Sequence, residues 1–229
     1  MEIIDYSQLI RDGVEVQSAF GNATLRCHNI GDMVARSGQV VACDPFVDPQ
    51  TAAFSVCLSP GRYPVVLSVA HFDDRDQRVA YAALKISDSK PCHWEMAHLP
   101  DQDITALEED HIFCYGVDSG TGCFMDVEAA HALNTKMDAD DNYFETLIGE
   151  MEKTYVHTWS WANVEMDPVT KANVMMFSSG LGDGCYASYF AFDQGHHPVL
   201  LVTDFGVFDD AEVGETLRRN QQAPGANSQ

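Results

Sequence analysis

Short apolar runs, separated by turns rich in glycine, proline and aspartate, dominate the chain from about residue 30 to residue 97. Several of them alternate apolar and polar positions, as strands of a half-buried sheet do. Their regular spacing is typical of a meander, sandwich or barrel and not of parallel βαβ units. The predicted strands cover residues 39–43, 54–58, 63–70, 78–86 and 92–97.

Two of the β-prone runs lie close enough to form a hairpin. Residues 33–35 and 39–43 flank a short segment that contains Ser37 and Gly38. A glycine-containing connection of this length favours antiparallel pairing of its neighbours. We therefore predict that these two runs pair with each other.

In the middle of the chain, around residues 126–155, the spacing of apolar residues becomes that of helices. Asp126 can cap a helix that begins at Val127, and Asn142 with Glu145 has the spacing of a capping box for a second helix that ends near residue 155. In the second helix four apolar residues share one face. They are Phe144, Leu147, Ile148 and Met151. We expect both helices to lie on a sheet.

Two glycine- and aspartate-rich loops, at residues 115–122 and 177–186, have similar chemistry. The second leads into a predicted hairpin over residues 186–208 that reverses near residues 193–195. Glycine permits positive φ and close approach of a partner, while aspartate either caps backbone amides or binds a cation. If the loops meet in space, they form a site. If they do not, each is only a turn.

Together these patterns predict an α+β fold. It consists of mostly antiparallel, twisted β-sheets, arranged as a sandwich or partial barrel, with one or two helices packed on them around residues 126–155. We expect one globular domain over residues 1–208. Residues 209–229 are polar and are expected to form a mobile C-terminal tail.

The net charge of the chain limits the kinds of molecule that it is expected to bind. The chain has 13 Lys and Arg against 35 Asp and Glu, which gives a net charge of −22. Such a surface repels nucleic-acid phosphates and anionic lipid, so we expect neither a nucleic acid nor a membrane as a partner. A charged partner is predicted to be a basic protein. Solubility or adaptation to salt explains the same acidity equally well.

The seven cysteines include no C-x-x-C pair, so neither a zinc knuckle nor a thioredoxin-type redox pair is indicated. Several lie among apolar residues, as buried thiols do in a reducing compartment. The N-terminal residues lack the basic and apolar regions of a signal peptide, and no apolar run is long enough for a membrane span. These features predict a soluble cytoplasmic protein.

Several motifs resemble one bacterial family. They are residues 31–38 with Asp44 and Pro45, residues 60–65, residues 115–122, and residues 179–186 continuing through 202–205. Their order and spacing are similar to the domain of unknown function 4241 family over about residues 30–208. The resemblance implies a β-rich bacterial fold. It implies no established activity and transfers no catalytic residue.

Four aspartates are candidates for a Mg²⁺ or Ca²⁺ site: Asp118, Asp126, Asp183 and Asp204. Hard cations need several oxygen ligands, and glycine-flanked loops supply them. Such a site would support a metal-dependent hydrolase. The alternative is that these residues form turns and a helix cap, in which case no cofactor is expected.

Five residues are candidates for binding because they lie in the loops or in an aromatic-rich segment: Ser119, Thr121, Tyr186, Trp159 and Trp161. Aromatic residues are common both in binding sites and in cores, so either role is open for the tryptophans.

A catalytic nucleophile would come from Ser119, Ser179, Cys123 or Cys185, but no G-x-S-x-G motif surrounds either serine.

His196 and His197 are adjacent in sequence. Neighbouring residues of an extended segment point in opposite directions and rarely bind one ion, so a polar hairpin tip is the favoured interpretation.

Three functions remain open. The leading hypothesis is a non-enzymatic interaction protein with an acidic surface, for example an immunity protein that neutralises a basic toxin domain. The alternatives are a metal-dependent hydrolase that uses the glycine-flanked aspartates, and a small-molecule or peptide-binding module. The last requires an apolar cleft with a few polar groups.

Overall fold

The computed structural model describes residues 3–72, 75–108 and 111–222, and side chains up to residue 218. Short helical turns lie at Tyr6–Gln8 and Ile104–Ala106. The helices are α1 (Val127–Ala139), α2 (Tyr143–Glu152) and α3 (Asp210–Gln222). The strands are β1 (Glu15–Ser18), β2 (Gly21–Ala35), β3 (Val40–Cys43), β4 (Gly61–Phe72), β5 (Gln77–Lys85), β6 (His93–Met96), β7 (Tyr115–Val117), β8 (Thr121–Asp126), β9 (Trp161–Glu165), β10 (Asn173–Ser178), β11 (Gly184–Tyr186), β12 (Ser188–Phe192) and β13 (Pro198–Asp204).

The strands of the described residues form three sheets, and every pairing between them is antiparallel. The largest sheet has the order β1-β2-β4-β5-β13-β12-β6 and curls into a half-barrel. A second sheet has the order β3-β8-β10-β9, and β11 pairs with β7 in a third. The predicted α+β fold is confirmed.

The main core lies between the two larger sheets. Leu67 and Leu84 of the seven-stranded sheet and Phe124 and Phe177 of the four-stranded sheet all belong to one buried cluster. Residues that alternate with these along the strands face the other way, as the period of a strand requires. The four-stranded sheet therefore buries both of its faces: Met175 and Phe177 of β10 join the main core, whereas Met176 lies in a cluster on the opposite face.

Helices cover the outer faces. α1 and α2 pack on the four-stranded sheet through Leu133, Leu147 and Met151. The outer face of the seven-stranded sheet is covered by the N-terminal turn, through Tyr6 and Leu9, and by α3.

The predicted hairpin over residues 33–43 is wrong. β2 continues in the seven-stranded sheet, where it pairs with β4, whereas β3 pairs with β8 in the other sheet. The connection crosses between sheets because its backbone amides, at Ser37 and Gly38, donate to the carboxylate of Asp126 at the end of β8. Residues 54–58 also form no strand. They lie beside residues 38–40, to which they are joined by two backbone hydrogen bonds and an isolated bridge between Gln39 and Cys57.

The C-terminal segment differs from the predicted tail, because residues 210–222 form α3. Val213 and Leu217 of this helix are buried in the cluster on the outer face of the seven-stranded sheet. Among the described side chains of α3, these two are the apolar ones in the cluster, so a segment of largely polar composition can pack on the sheet. The rest of the predicted tail, residues 223–229, lies outside the described residues.

Candidate functional site

The two glycine-rich loops meet in space. β7 and β11 pair, so that Val117 lies opposite Gly184. Beyond this pairing the amide of Ser179 donates to the carbonyl oxygen of Gly120 at 3.1 Å. The condition for a site at this position is therefore met.

Two glycines make the close approach of the loops possible. Gly120 has φ +68° and Gly180 has φ +50°, a region that side chains disfavour. At Gly180 space is also limiting, because a Cβ atom there would lie 2.7 Å from the carbonyl oxygen of Phe205. The glycines are thus needed because the two loops pack against each other and because the second loop packs against Phe205, directly after β13.

A disulfide joins the two loop regions. Cys114, just before β7, is bonded to Cys185 in β11, with a Cα–Cα distance of 5.5 Å. The sequence suggested reduced thiols only, and the two cysteines are 71 residues apart, so no local spacing indicates the bond. Among the free cysteines, Cys43 is buried, as its apolar neighbours indicate, and so is Cys123. Cys57 is exposed although it too has apolar neighbours in sequence, and Cys92 is also exposed.

A buried carboxylate holds the first loop in place. Asp44 follows β3 and has no exposed surface. Its carboxylate accepts hydrogen bonds from the amides of Asp118 and Ser119, at 3.0 and 2.8 Å, and from the Ser119 hydroxyl at 2.8 Å. The amide of Phe46 donates to it as well. A buried charge needs such donors, and here they fix the backbone of the loop against β3.

Beside this loop lies a groove of about 530 Å³. Such a volume falls within the range of ligand-binding clefts, about 300–1,000 Å³. One wall is the loop and the nearby strand ends, with the hydroxyl-bearing residues Ser119, Thr121, Ser160 and Ser178. The other wall is helical and apolar, with Phe46 adjoining it. Its lining residues are Met137 of α1, then Phe144, Ile148 and Met151 of α2, followed by Glu152 and Tyr155.

The groove exists because α2 has a wider apolar face than the sheet covers. Leu147 and Met151 are buried on the four-stranded sheet. Phe144 and Ile148 come from the same predicted face, yet each remains 38% exposed, and Tyr155 beyond the helix is 64% exposed. The helix begins where predicted, but the Asn142 side chain makes no capping hydrogen bond, so the capping box is absent.

The five predicted binding residues divide between groove and core. Ser119 and Thr121 line the groove. Tyr186 is buried, and its hydroxyl donates to the Gly182 carbonyl oxygen at 2.8 Å. Trp159 is also buried and donates to the Gln77 side chain, while Trp161 packs against the main core. The aromatic segment is therefore mainly structural.

Asp118 and Asp183 flank the paired residues Val117 and Gly184, but Asp126 and Asp204 have partners elsewhere, so the four predicted metal ligands do not gather at one point. Among the described residues, no three potential ligands that include one of these aspartates have ligand atoms within 4.8 Å of one another. Asp118 and Asp183 have exposed positions in the two loops. The Asp126 carboxylate caps α1 through the amide of Glu128 and accepts from Ser37 and Gly38.

Asp204 lies at the end of β13, beside the N-terminal turn. Its carboxylate accepts hydrogen bonds from the Tyr6 hydroxyl at 3.2 Å and the Gly206 amide at 2.8 Å. Burial, with a smaller contribution from the nearby Asp210 carboxylate, raises the pKa of Asp204 to about 7 despite these hydrogen bonds. This carboxyl is placed to hold the N-terminal turn, not to join the loops.

The candidate nucleophiles also have structural partners. Ser119 donates to Asp44, Ser179 donates to the Gly182 carbonyl oxygen, Cys123 is buried and Cys185 is in the disulfide. Among the described residues that line the groove there is no histidine. A serine in this groove therefore has no imidazole base within the site.

Sequence reasoning missed Asp44 as a site residue and did not identify Phe46 and Met137 as groove residues. The position of Asp44 could have indicated its role, because a carboxylate directly after an entirely apolar strand lies at the edge of a core. No such indication existed for Met137, because nothing in its local sequence places it beside a distant loop.

The fold and groove define an α+β protein with two packed sheets and a helix-lined cleft. The chain belongs to the family described as "Protein of unknown function (DUF4241)", whose model matches residues 33–203. The matched region contains both glycine loops, Asp44 and α2. Neither a curated protein nor a solved structure matches this chain.

None of the helices within the described residues has the length and apolar character required to cross a membrane.

We predict that Asp44→Asn lowers the free energy of unfolding by about 1–3 kcal/mol, because one amide oxygen cannot satisfy donors that now bond to two carboxylate oxygens. Urea unfolding followed by tryptophan fluorescence measures the change. Asp118→Asn is the matched control, since its side chain is exposed, and should change stability by less than about 0.5 kcal/mol. Equal effects of the two substitutions would contradict the anchoring role of Asp44.

The raised pKa of Asp204 predicts a pH-dependent stability. The protonated carboxyl favours the folded state, so its contribution is complete below pH 4 and is lost as the pH rises through about 7. Asp204→Asn keeps the shape without titrating. The stability of the wild type relative to this variant should therefore fall by roughly 4 kcal/mol between pH 4 and pH 8. Urea unfolding at several pH values measures this difference, and a constant difference across the range would refute it.

Proposed function

We propose that this chain is a protein-interaction module whose groove binds an apolar segment of a basic partner protein. The observation that carries the proposal is the uncovered apolar face of α2, where Phe144 and Ile148 line an open cleft beside polar hydroxyls. Contiguous apolar surface of this kind commonly marks a binding site in a soluble protein. An apolar wall opposite a few polar groups supports recognition of a segment with both kinds of side chain.

Charge supports a basic partner. Glu152 lies in the lining of the groove, and Asp118 is exposed on the loop that forms the opposite wall. The end of α1, the turn that follows it and the first turn of α2 add further exposed carboxylates at Asp138, Asp140, Asp141 and Glu145. With a net charge of −22, the whole surface favours encounter with a cationic molecule.

The occupant is thus a segment that presents apolar side chains flanked by lysine or arginine. Its apolar residues would contact Phe144 and Ile148, and its backbone or polar side chains would meet the hydroxyls of Ser119 and Thr121. Blocking of a cationic toxin domain by an immunity protein is one biological role that this chemistry would serve.

A defined peptide library tests the proposal. Peptides are selected on the wild type, and their affinities are then measured for the wild type, for Ile148→Asp and for Val169→Asp. Val169 is 88% exposed and lies outside the groove, which makes it a matched control for placing a carboxylate on exposed apolar surface. Circular dichroism confirms that each variant is folded.

We predict that the selected peptides are rich in apolar and basic residues and bind Ile148→Asp at least about tenfold more weakly, because a charged group replaces apolar contact area. Affinity for Val169→Asp should match that of the wild type, and affinity should fall as salt is raised. Selected peptides of acidic composition, or equal affinities for both variants, would overturn the proposal.

A further inference from the structure

The hairpin of β12 and β13 and the edge strand β6 lie side by side at one end of the seven-stranded sheet. Phe192, the last residue of β12, is paired with His93, the first residue of β6. The turn that follows Phe192 therefore begins next to His93. This arrangement allows residues of the turn to contact residues of the edge strand.

The turn holds His196 in an uncommon conformation. Its backbone has φ +59°, which few residues other than glycine adopt, and its amide donates to the Asp193 carbonyl oxygen at 3.0 Å. The Asp193 carboxylate accepts from the amides of Gly195 and His197 and so fixes the turn. As a result the His196 ring stacks on Phe192, with a centroid distance of 4.6 Å.

This placement brings two imidazoles and one carboxylate together. The rings of His93 and His196 are 5.1 Å apart and nearly parallel. Glu95 lies two positions after His93, so its side chain shares a face of β6 with His93, and Glu95 Oε1 is 3.2 Å from His93 Nε2. Each of the three residues offers one ligand atom within 4.8 Å of the other two.

We propose that His93, Glu95 and His196 bind one divalent transition-metal ion of the Zn²⁺ type. Two imidazoles and a carboxylate form an accepted ligand set for this ion, with water in the fourth position. Ligand atoms at about 2.0–2.1 Å from zinc lie roughly 3.4 Å apart in a tetrahedron. Side-chain rotations that turn the two stacked rings toward a common point, and bring ligand atoms now within 4.8 Å of one another to about 3.4 Å, would complete the site.

A surface ion pair between His93 and Glu95 accounts for two of the three residues but not for His196. Among the described residues, the His196 ring contacts Phe192 and His93 and forms no hydrogen bond. Its ring nitrogens are thus available to an ion, and the negative net charge favours cation binding.

The proposed ligand set is not the pair of adjacent histidines, His196 and His197, that is visible in the sequence. His197 does not join it: its ring lies beside Asp193, at 3.4 Å, and its side chain is 79% exposed. The ion would link the hairpin turn to the edge strand and would so stabilise the outermost strand of the sheet. Because two of the three ligands are imidazoles, Mg²⁺ should not compete with zinc for this site.

Zinc titration of the full-length chain without an affinity tag tests the proposal. The exposed thiols are first removed by Cys57→Ser and Cys92→Ser, because thiolates also bind zinc. Isothermal calorimetry in this background measures stoichiometry and affinity for the parent, for His93→Gln, for His196→Gln and for His197→Gln. The thermal midpoint with and without zinc gives a second readout.

The expected result is one zinc ion per chain, with affinity at least about tenfold weaker for His93→Gln and His196→Gln and nearly unchanged for His197→Gln. Zinc should raise the thermal midpoint of the parent but not that of His196→Gln. The absence of stoichiometric zinc binding would overturn the proposal. So would an equal loss of affinity in His196→Gln and His197→Gln, since that would indicate nonspecific binding at the turn.

Discussion

Two buried carboxylates, one at each end of β3, connect the parts of this structure that form the groove. Asp126, opposite the start of the strand, binds the amides of the connection that carries the chain from one large sheet to the other. Asp44, after its end, binds the loop at residues 118–119. An ionised carboxylate is costly to bury without donors, so each position requires its surrounding amides to stay in place. The loop wall of the groove follows from this requirement.

The other wall follows from sheet packing. Because the four-stranded sheet is apolar on both faces, α1 and α2 must cover the face that the seven-stranded sheet does not. α2 does so through Leu147 and Met151 and leaves Phe144 and Ile148 partly uncovered. Further filling of this space by the chain's own side chains would remove the cleft. The proposed partner site lies on this uncovered surface.

Sequence periodicity predicts the fold class and most strands here, since alternation and turn residues are local properties. It also predicts the hairpin of β12 and β13, but not the pairing of strands that are far apart in sequence. The connection at Ser37 and Gly38 has the sequence of a hairpin turn, but it joins two sheets. Its amides bind the carboxylate of Asp126, which is distant in sequence. Part of the site could be predicted, because Ser119 and Thr121 lie in a loop of recognisable chemistry. The helical wall could not, because the position of Met137 beside that loop depends on how two helices pack.

The disulfide and the proposed metal site could not be predicted from the sequence either, because each joins residues that are far apart along the chain. The bond between Cys114 and Cys185 joins residues that are 71 positions apart, and local spacing indicates no such pair. The proposed metal ligands come from β6 and from a turn about 100 residues later, so that only the pairing of His93 with Phe192 brings them together. In each case strand pairing creates the proximity, and the residues taken separately carry no signal.

Nuclear magnetic resonance of the labelled protein, titrated with a peptide of alternating lysine and leucine, tests the central claim most directly. If the groove binds basic, apolar segments, shifts should concentrate on the Ile148 methyl groups and on the amides of Ser119 and Thr121, and an equivalent peptide of glutamate and leucine should cause none. Shifts spread over the acidic surface without these residues would contradict the account, because charge alone would then explain the binding.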